Sequence, residues 1–223
     1  MPTTTLNAAP VAPILERMFH EAEASHTTFM QELAALPAQQ CADLFSAEAD
    51  YVAIYTRAKD AYLAVSRETG RLLYMLARAN MAKNIIEFGT SLGISTLHLA
   101  AALRDNGGGR LIGSEFEPSK VARARQTIAL AGVADLVEIR DGDALETLAR
   151  DLPERIDMVL MDGAKGLYPK VLALLEDRLR PGAILVADDA DKSPEYLARV
   201  RSSEAGYLSV PFADDVEVSL RIG

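Results

Sequence analysis

Asn84-Ile85-Ile86-Glu87-Phe88-Gly89-Thr90-Ser91-Leu92-Gly93-Ile94-Ser95 reads as a buried strand, a glycine turn and the start of a helix that continues through Leu103. Such a unit makes a cradle for nucleotides or anions. The first N–H groups of the helix lack partners, and the helix dipole favours negative charge there. Gly89 and Gly93 are spaced G-x-x-x-G, which matches neither the dinucleotide G-x-G-x-x-G nor the phosphate loop G-x-x-x-x-G-K-[ST]. The turn points to a nucleotide-like ligand without naming NAD or ATP, and it is equally compatible with an ordinary α/β turn.

Downstream, the pattern alternates strand and helix. Strands are expected at 84–88, 110–115, 136–140, 157–161 and 183–187, with the run Asp157-Met158-Val159-Leu160-Met161 central because it is nearly all apolar. Pro118 opens a helix whose apolar positions are Val121, Ala124, Ile128 and Ala131, and Gly132 stops it. Helices at 143–149, 168–179 and 194–201 follow, and two β runs, 207–211 and 216–221, close the chain as an antiparallel pair. Apolar strands alternating with helices predict an α/β, Rossmann-like doubly wound sheet, mainly parallel with a last antiparallel strand. Ligands of such sheets bind at the carboxyl ends of the strands.

Upstream, residues 1–13, with Thr3-Thr4-Thr5, Pro10 and Pro13, read as a flexible tail. Helical spacing recurs over 14–36, 47–56 and 59–79. In the last run Tyr62, Leu63, Leu72, Leu73, Met75 and Leu76 form the expected buried set, and Gly70 suggests two helices meeting near 65–70. Residues 14–223 are thus expected to form one domain, with a helical cap over 14–80 and a Rossmann-like core over 84–223.

The 223 residues suffice for a full core, and 49% hydrophobic with 25% charged residues is the balance of a soluble globular protein. No apolar run approaches ~20 residues, so no membrane span is expected. The first residues lack the pattern of a signal peptide. The single cysteine, Cys41, precludes an internal disulfide, and together these features predict a cytoplasmic protein. His20, His26 and His98 show no metal-ligand spacing, and His98 reads as packed within a helix. A net charge of −9 argues against broad binding of nucleic acid or anionic membranes, which leaves a small molecule as the expected ligand. Arg67, Arg71, Arg78 and Lys83 could form a local basic strip, but read as a solvated helix face.

The strand ends supply the chemistry. Glu115 can accept hydrogen bonds from ribose hydroxyls, and Phe116 can lay its ring on an adenine. Asp143 either accepts from an adenine amino group or caps the helix that follows it. The fourth strand ends in Asp162-Gly163-Ala164-Lys165 and the fifth in Asp188-Asp189. Three carboxylates at adjacent strand ends resist ionising together unless a cation joins them, and all-oxygen ligation suits a hard divalent ion such as Mg²⁺.

From about Val65 to the C-terminus the chain resembles the cation-dependent class I O-methyltransferases that use S-adenosylmethionine, the group of catechol and caffeoyl-CoA O-methyltransferases. The resemblance lies in 86–95, Ile112-Gly113-Ser114-Glu115, Gly142-Asp143-Ala144, 157–165 and Leu185-Val186-Ala187-Asp188-Asp189, in the family's order. It implies that Val65 and Ser95 hold the methionine end of the cofactor, and that Glu87, Gly89, Thr90, Ser91, Gly93 and Asp162 line it. Glu115 and Phe116 would serve the ribose and adenine, with Asp143 and Ala144 beside the adenine. Asp162, Asp188 and Asp189 match the metal ligands, Lys165 the general base, its pKa lowered by the nearby cation, and Tyr168 an aromatic substrate position. The implied activity is Mg²⁺-dependent methyl transfer to a small vicinal-diol phenolic. The resemblance also implies a homodimer, with the N-terminal helices as interface or substrate lid.

Three departures stand out. Asp189 occupies a position where the family usually has Asn, and Ala164 one where many relatives carry an acid. The aromatic gate of some catechol enzymes falls near Ala61. Two other readings share the fold: a tRNA hydroxyuridine methyltransferase and a non-catalytic S-adenosylmethionine-binding module. A dehydrogenase is disfavoured by the missing G-x-G-x-x-G.

Overall fold

The computed structural model describes residues 4–25, 28–37, 40, 43, 50–202, 204–213 and 215–223. Cys41, His26 and the start of the helix expected at 47–56 lie outside them. Helices α1 (Val11–Ala24), α2 (Thr28–Ala34), α3 (Tyr51–Arg57) and α4 (Arg67–Ala79) precede the β–α region. That region runs β1 (Asn84–Phe88), α5 (Ile94–Asp105), β2 (Arg110–Glu115), α6 (Pro118–Leu130), β3 (Val137–Asp141) and α7 (Ala144–Thr147). It continues with β4 (Ile156–Met161), α8 (Tyr168–Leu175), β5 (Leu179–Ala187), α9 (Pro194–Arg201), β6 (Tyr207–Phe212) and β7 (Val216–Arg221).

The strand order is β3-β2-β1-β4-β5-β7-β6. Strands β1 to β5 pair in parallel, whereas β7 runs antiparallel to both β5 and β6. The expected doubly wound sheet is therefore present. Ile85 and Ile86 of β1 and Met158 to Met161 of β4 are fully buried, as centre strands covered on both faces must be. Between β1 and β4 the order reverses direction, so a crevice opens above the Gly89 turn. At its floor Gly89 has φ +96°, and a Cβ there would lie 2.4 Å from the carbonyl oxygen of Asp162. Only glycine lets the two strand ends come this close.

The N-terminal part departs from the sequence expectation in four places. Residues 4–13 are docked rather than tail-like: the Thr5 N–H donates to Asp105 Oδ2 at 3.0 Å, and Val11 is buried in α1. Residues 58–66 form turns and extended chain instead of helix, because Ser66 caps α4 by accepting from the Thr69 N–H. Gly70 lies inside α4 rather than breaking it. A Cβ at Gly70 would meet the His98 ring at 2.7 Å, so the glycine makes room for that ring. Met75, expected in the core, is instead exposed.

Helix α5 is buried from Ile94 to Leu103, enclosed by the sheet on one side and by α1 and α4 on the other. A helix apolar all round has no solvent face. His98 sits on it with its Nδ1 2.9 Å from the Ile94 carbonyl and its ring edge-on to Phe19. Burial pushes its pKa down to about 4. The unfolded chain binds this proton near 6.5 while the fold refuses it until about 4, so His98 should remove stability as pH falls through that window. Melting temperatures of wild type and His98→Gln at pH 7.5 and pH 5 test this. The variant is expected to lose less on acidification, and an equal loss would overturn the assignment. Gly89→Ala, forced into both a positive φ and a backbone overlap, is expected to cost ~3 kcal/mol or more in denaturant unfolding. Near-wild-type stability would show that the β1 and β4 ends can separate freely.

Candidate active site

The glycine turn is organised from beneath by Glu87. Its carboxylate is fully buried and accepts hydroxyl bonds from Ser95 (2.7 Å), Thr96 (2.6 Å) and Thr90 (3.0 Å). Burial raises its pKa although the three hydroxyls counter it. Glu87 therefore supports the cradle rather than lining it, contrary to the expectation. Gly93 likewise shapes the turn, as the N-cap of α5 with φ +94°, and is absent from the cleft walls.

Above the turn, the Ser91 N–H donates to Glu115 Oε2 at 2.8 Å and the Glu117 N–H donates to Oε1 at 2.9 Å. The two bonds fix the plane of the Glu115 carboxylate and leave its outer lone pairs for a ligand. The Ser91 hydroxyl is buried without a hydrogen-bond partner, an orphan that a polar ligand would satisfy.

A cleft of about 610 Å³ opens here. Of the expected residues, Gly89, Ser91, Glu115, Phe116, Asp143, Ala144 and Asp162 line it. Val65, Thr90 and Ser95 line an adjoining chamber of about 260 Å³ that shares Gly89, Ser91 and Asp162 with the first. The walls also include Tyr51, Tyr55, Leu63, Lys120 and Leu167, which the sequence reading did not single out. Tyr51 and Tyr55 stand one turn apart on α3 and so share a face. The Tyr51 hydroxyl donates to Asp143 Oδ2 at 2.6 Å, and that bond, then burial, pushes its pKa up to about 12. Asp143 Oδ1 meanwhile accepts from the Leu145 N–H and caps α7, which decides one of its two open roles. Ala61 is buried and provides no gate; the aromatic wall comes from α3 instead.

On the β4–β5 side lies a cluster of opposite charges. Lys165 is buried, with its Nζ 3.0 Å from Asp162 Oδ1 and 3.3 Å from Asp189 Oδ2. Lys192 Nζ takes the other Asp189 oxygen at 2.5 Å. Burial, and then the charge of Asp162, pushes Asp188 up to about 8. Burial also raises Asp162, to about 6, against the pull of Lys165. Burial disfavours the Lys165 ammonium, but its surroundings, Tyr168, Asp162, Tyr55 and Asp189, outweigh that and hold its pKa well above the ordinary value. In this arrangement Lys165 is held as a charged group.

The three carboxylates do sit at neighbouring strand ends, and an all-oxygen donor set short of positive charge suits a hard cation. Yet among the described residues no group of three or more His, Cys, Asp or Glu is arranged to hold a metal ion, and the Lys165 ammonium stands between Asp162 and Asp189. Tyr168 also departs from its expected role. It is fully buried, its hydroxyl is shared between the carbonyls of Met161 and Asp188 at 2.8 Å each, and its ring packs edge-on to Phe88 and Tyr196. It ties the ends of β4 and β5 together instead of meeting substrate.

Residues 86–190 match the family described as a methyltransferase domain. Catechol O-methyltransferase of Niastella koreensis is 36% identical over 60% of this chain and 62% of its own length. The enzyme of the same name from Mycobacterium tuberculosis is 33% identical over 64% of each. The chain thus spans less than two thirds of the length of these curated relatives. Its fold superposes on an O-methyltransferase from Bacillus cereus in complex with SAH with a TM-score of 0.67, covering 96% of this chain and 92% of that one at 22% identity. Sequence match, sheet order and the glycine turn with its acid partner agree in making the chain similar to O-methyltransferases, with a methyltransferase domain matched over residues 86–190.

Proposed function

We propose that this chain transfers the methyl group of S-adenosylmethionine to a hydroxyl oxygen of a small aromatic vicinal diol. The observation that carries this reading is the reach of the cleft: from its nucleoside-binding half, Ser91 with Glu115, it extends past Gly89 to Asp162, whose carboxylate pairs with Lys165 next to Asp189. The relatives named catechol O-methyltransferase supply the acceptor class.

In this reading Glu115 accepts from the ribose hydroxyls, Phe116 and Ala144 flank the adenine, and Val65 and Ser95 receive the methionine end. Orienting donor and acceptor supplies much of the rate, roughly 7–11 kcal/mol in well-aligned systems. A divalent cation such as Mg²⁺ would be held by Asp162, Asp188 and Asp189 only once the Lys165 ammonium leaves Asp162 and Asp189; there it would lower the pKa of the acceptor hydroxyl and offset charge on its oxygen. In this reading Lys165 Nζ takes the acceptor's proton. Its ion pairs with Asp162 and Asp189 keep it protonated, so it serves as base only when those pairs are loosened. Tyr51 and Tyr55 wall the cleft from α3.

An RNA acceptor finds no support in the basic strip. Arg67 is bound to Glu16 and Glu23, Arg78 to Asn106, and Lys83 to the carbonyls of Asn106 and Gly108.

Methyl transfer from labelled S-adenosylmethionine to catechols, hydroxycinnamoyl thioesters and tRNA tests the reading. Activity with the diols, lost in EDTA and restored by Mg²⁺, is expected. Undiminished turnover in chelator would overturn the metal assignment, and cofactor binding without turnover on any acceptor would favour a binding module. Lys165→Met is expected to lower kcat by ~10²-fold or more, and unchanged kcat would remove Lys165 from the chemistry.

A further inference from the structure

Among the described residues that line the cleft, Lys120 is the one cation, and the expected cofactor set does not use it. It stands in the first turn of α6 on the same stripe as Val121, Ala124 and Ile128, and only 3% of it is exposed. Three observations make its position costly for the free protein. No hydrogen bond or ion pair joins it to any described residue, although it feels the charges of Glu115, Glu117 and Asp162. Burial lowers its pKa, so its surroundings do not reward the charge. A cation in the first turn of a helix also opposes the helix dipole. A lysine whose head could reach bulk water would snorkel outward. This one instead lines the cleft beside Ser91, Glu115 and Phe116.

The chemistry of Glu115 indicates what the ammonium meets. Each Glu115 oxygen already takes one backbone N–H, from Ser91 or Glu117, and what remains can only accept. A ribose diol that donates both of its protons to this carboxylate keeps lone pairs on both hydroxyl oxygens. In a narrow cleft those acceptors need donors or carry a desolvation penalty. Lys120 offers three donors and no acceptor, the complement of Glu115.

We propose that Lys120 is a cofactor-binding residue whose ammonium donates to the ribose oxygens of the nucleoside that Glu115 accepts from, so that the pair clamps the diol from both sides. The inference rests on the cleft being an S-adenosylmethionine site. It makes the lysine a residue held against stability for the sake of the ligand.

Calorimetric titration of wild type and Lys120→Met with S-adenosylhomocysteine, adenosine, 2′-deoxyadenosine and 3′-deoxyadenosine tests this, alongside melting temperatures without ligand. The variant is expected to bind S-adenosylhomocysteine about tenfold or more weakly. Its preference for adenosine over the deoxy analogues should shrink, and its own melting temperature should match or exceed that of wild type. Unchanged affinity for S-adenosylhomocysteine would overturn the proposal. So would an equal loss for adenosine and both deoxy analogues, or a lowered melting temperature with discrimination intact, which would mark a structural lysine. Failure of wild type itself to bind S-adenosylhomocysteine would overturn the cofactor reading and this inference with it, and is distinguished by that control.

Discussion

The buried carboxylate of Glu87 is the constraint on which the site depends. An acid with no solvent contact is tolerable only when its oxygens are fully occupied. Here the occupants are three hydroxyls, from Thr90 in the turn and from Ser95 and Thr96 in the first turn of α5. The network therefore spans strand, turn and helix, and fixes the path of the chain between them. Such a network is strong when complete and costly when any member is missing. The shape of the turn is thus set by polar bonds inside the protein before any ligand arrives. That shape is what presents the Ser91 N–H to Glu115 and brings Gly89 against the Asp162 carbonyl.

Sheet order then sorts the chemistry. Strand β1 lies between β2 and β4, so the acid ending β2 flanks the turn on one side and Asp162 flanks it on the other. Beyond β4 comes β5 with Asp188 and Asp189, and the Tyr168 hydroxyl, shared by the Met161 and Asp188 carbonyls, holds these two ends in register. Nucleoside recognition and charge chemistry are consequently separated by two inter-strand spacings, roughly 10 Å. A bound cofactor bridges that gap along its own length.

Much of this was legible in the sequence, because strands, their polar ends and the helices between them are local patterns. The side chains beyond them were less so, for identifiable reasons. A strand buried on both faces gives no alternation, so nothing in residues 84–88 tells whether Glu87 faces the ligand or lies beneath it. Tyr168 carries the same ambiguity, since an aromatic residue opening a helix can face either a pocket or the core. The bond from Tyr51 to Asp143 joins residues 92 positions apart, and no local spacing encodes it. Gly70 was read as a breaker because its partner, the His98 ring, belongs to another helix. Lys120 did leave a signal: it interrupts the apolar stripe of α6 four residues before Ala124, where a charge has no structural reason to be.

The aspartate in place of the family's usual asparagine looks different once the backbone is considered. Residue 189 has φ +51° and ψ +36°, the left-handed region that Asp and Asn enter more readily than most side chains. The position selects for that pair, so Asp is the replacement that leaves the turn undisturbed. What changes is charge, and the chain answers it three residues later. Lys192 takes Asp189 Oδ1 while Lys165 takes Oδ2, so both oxygens of the extra carboxylate face an ammonium. By charge alone, a third acid makes the site more negative. With Lys192 on one oxygen and Lys165 on the other, the added charge is paired locally.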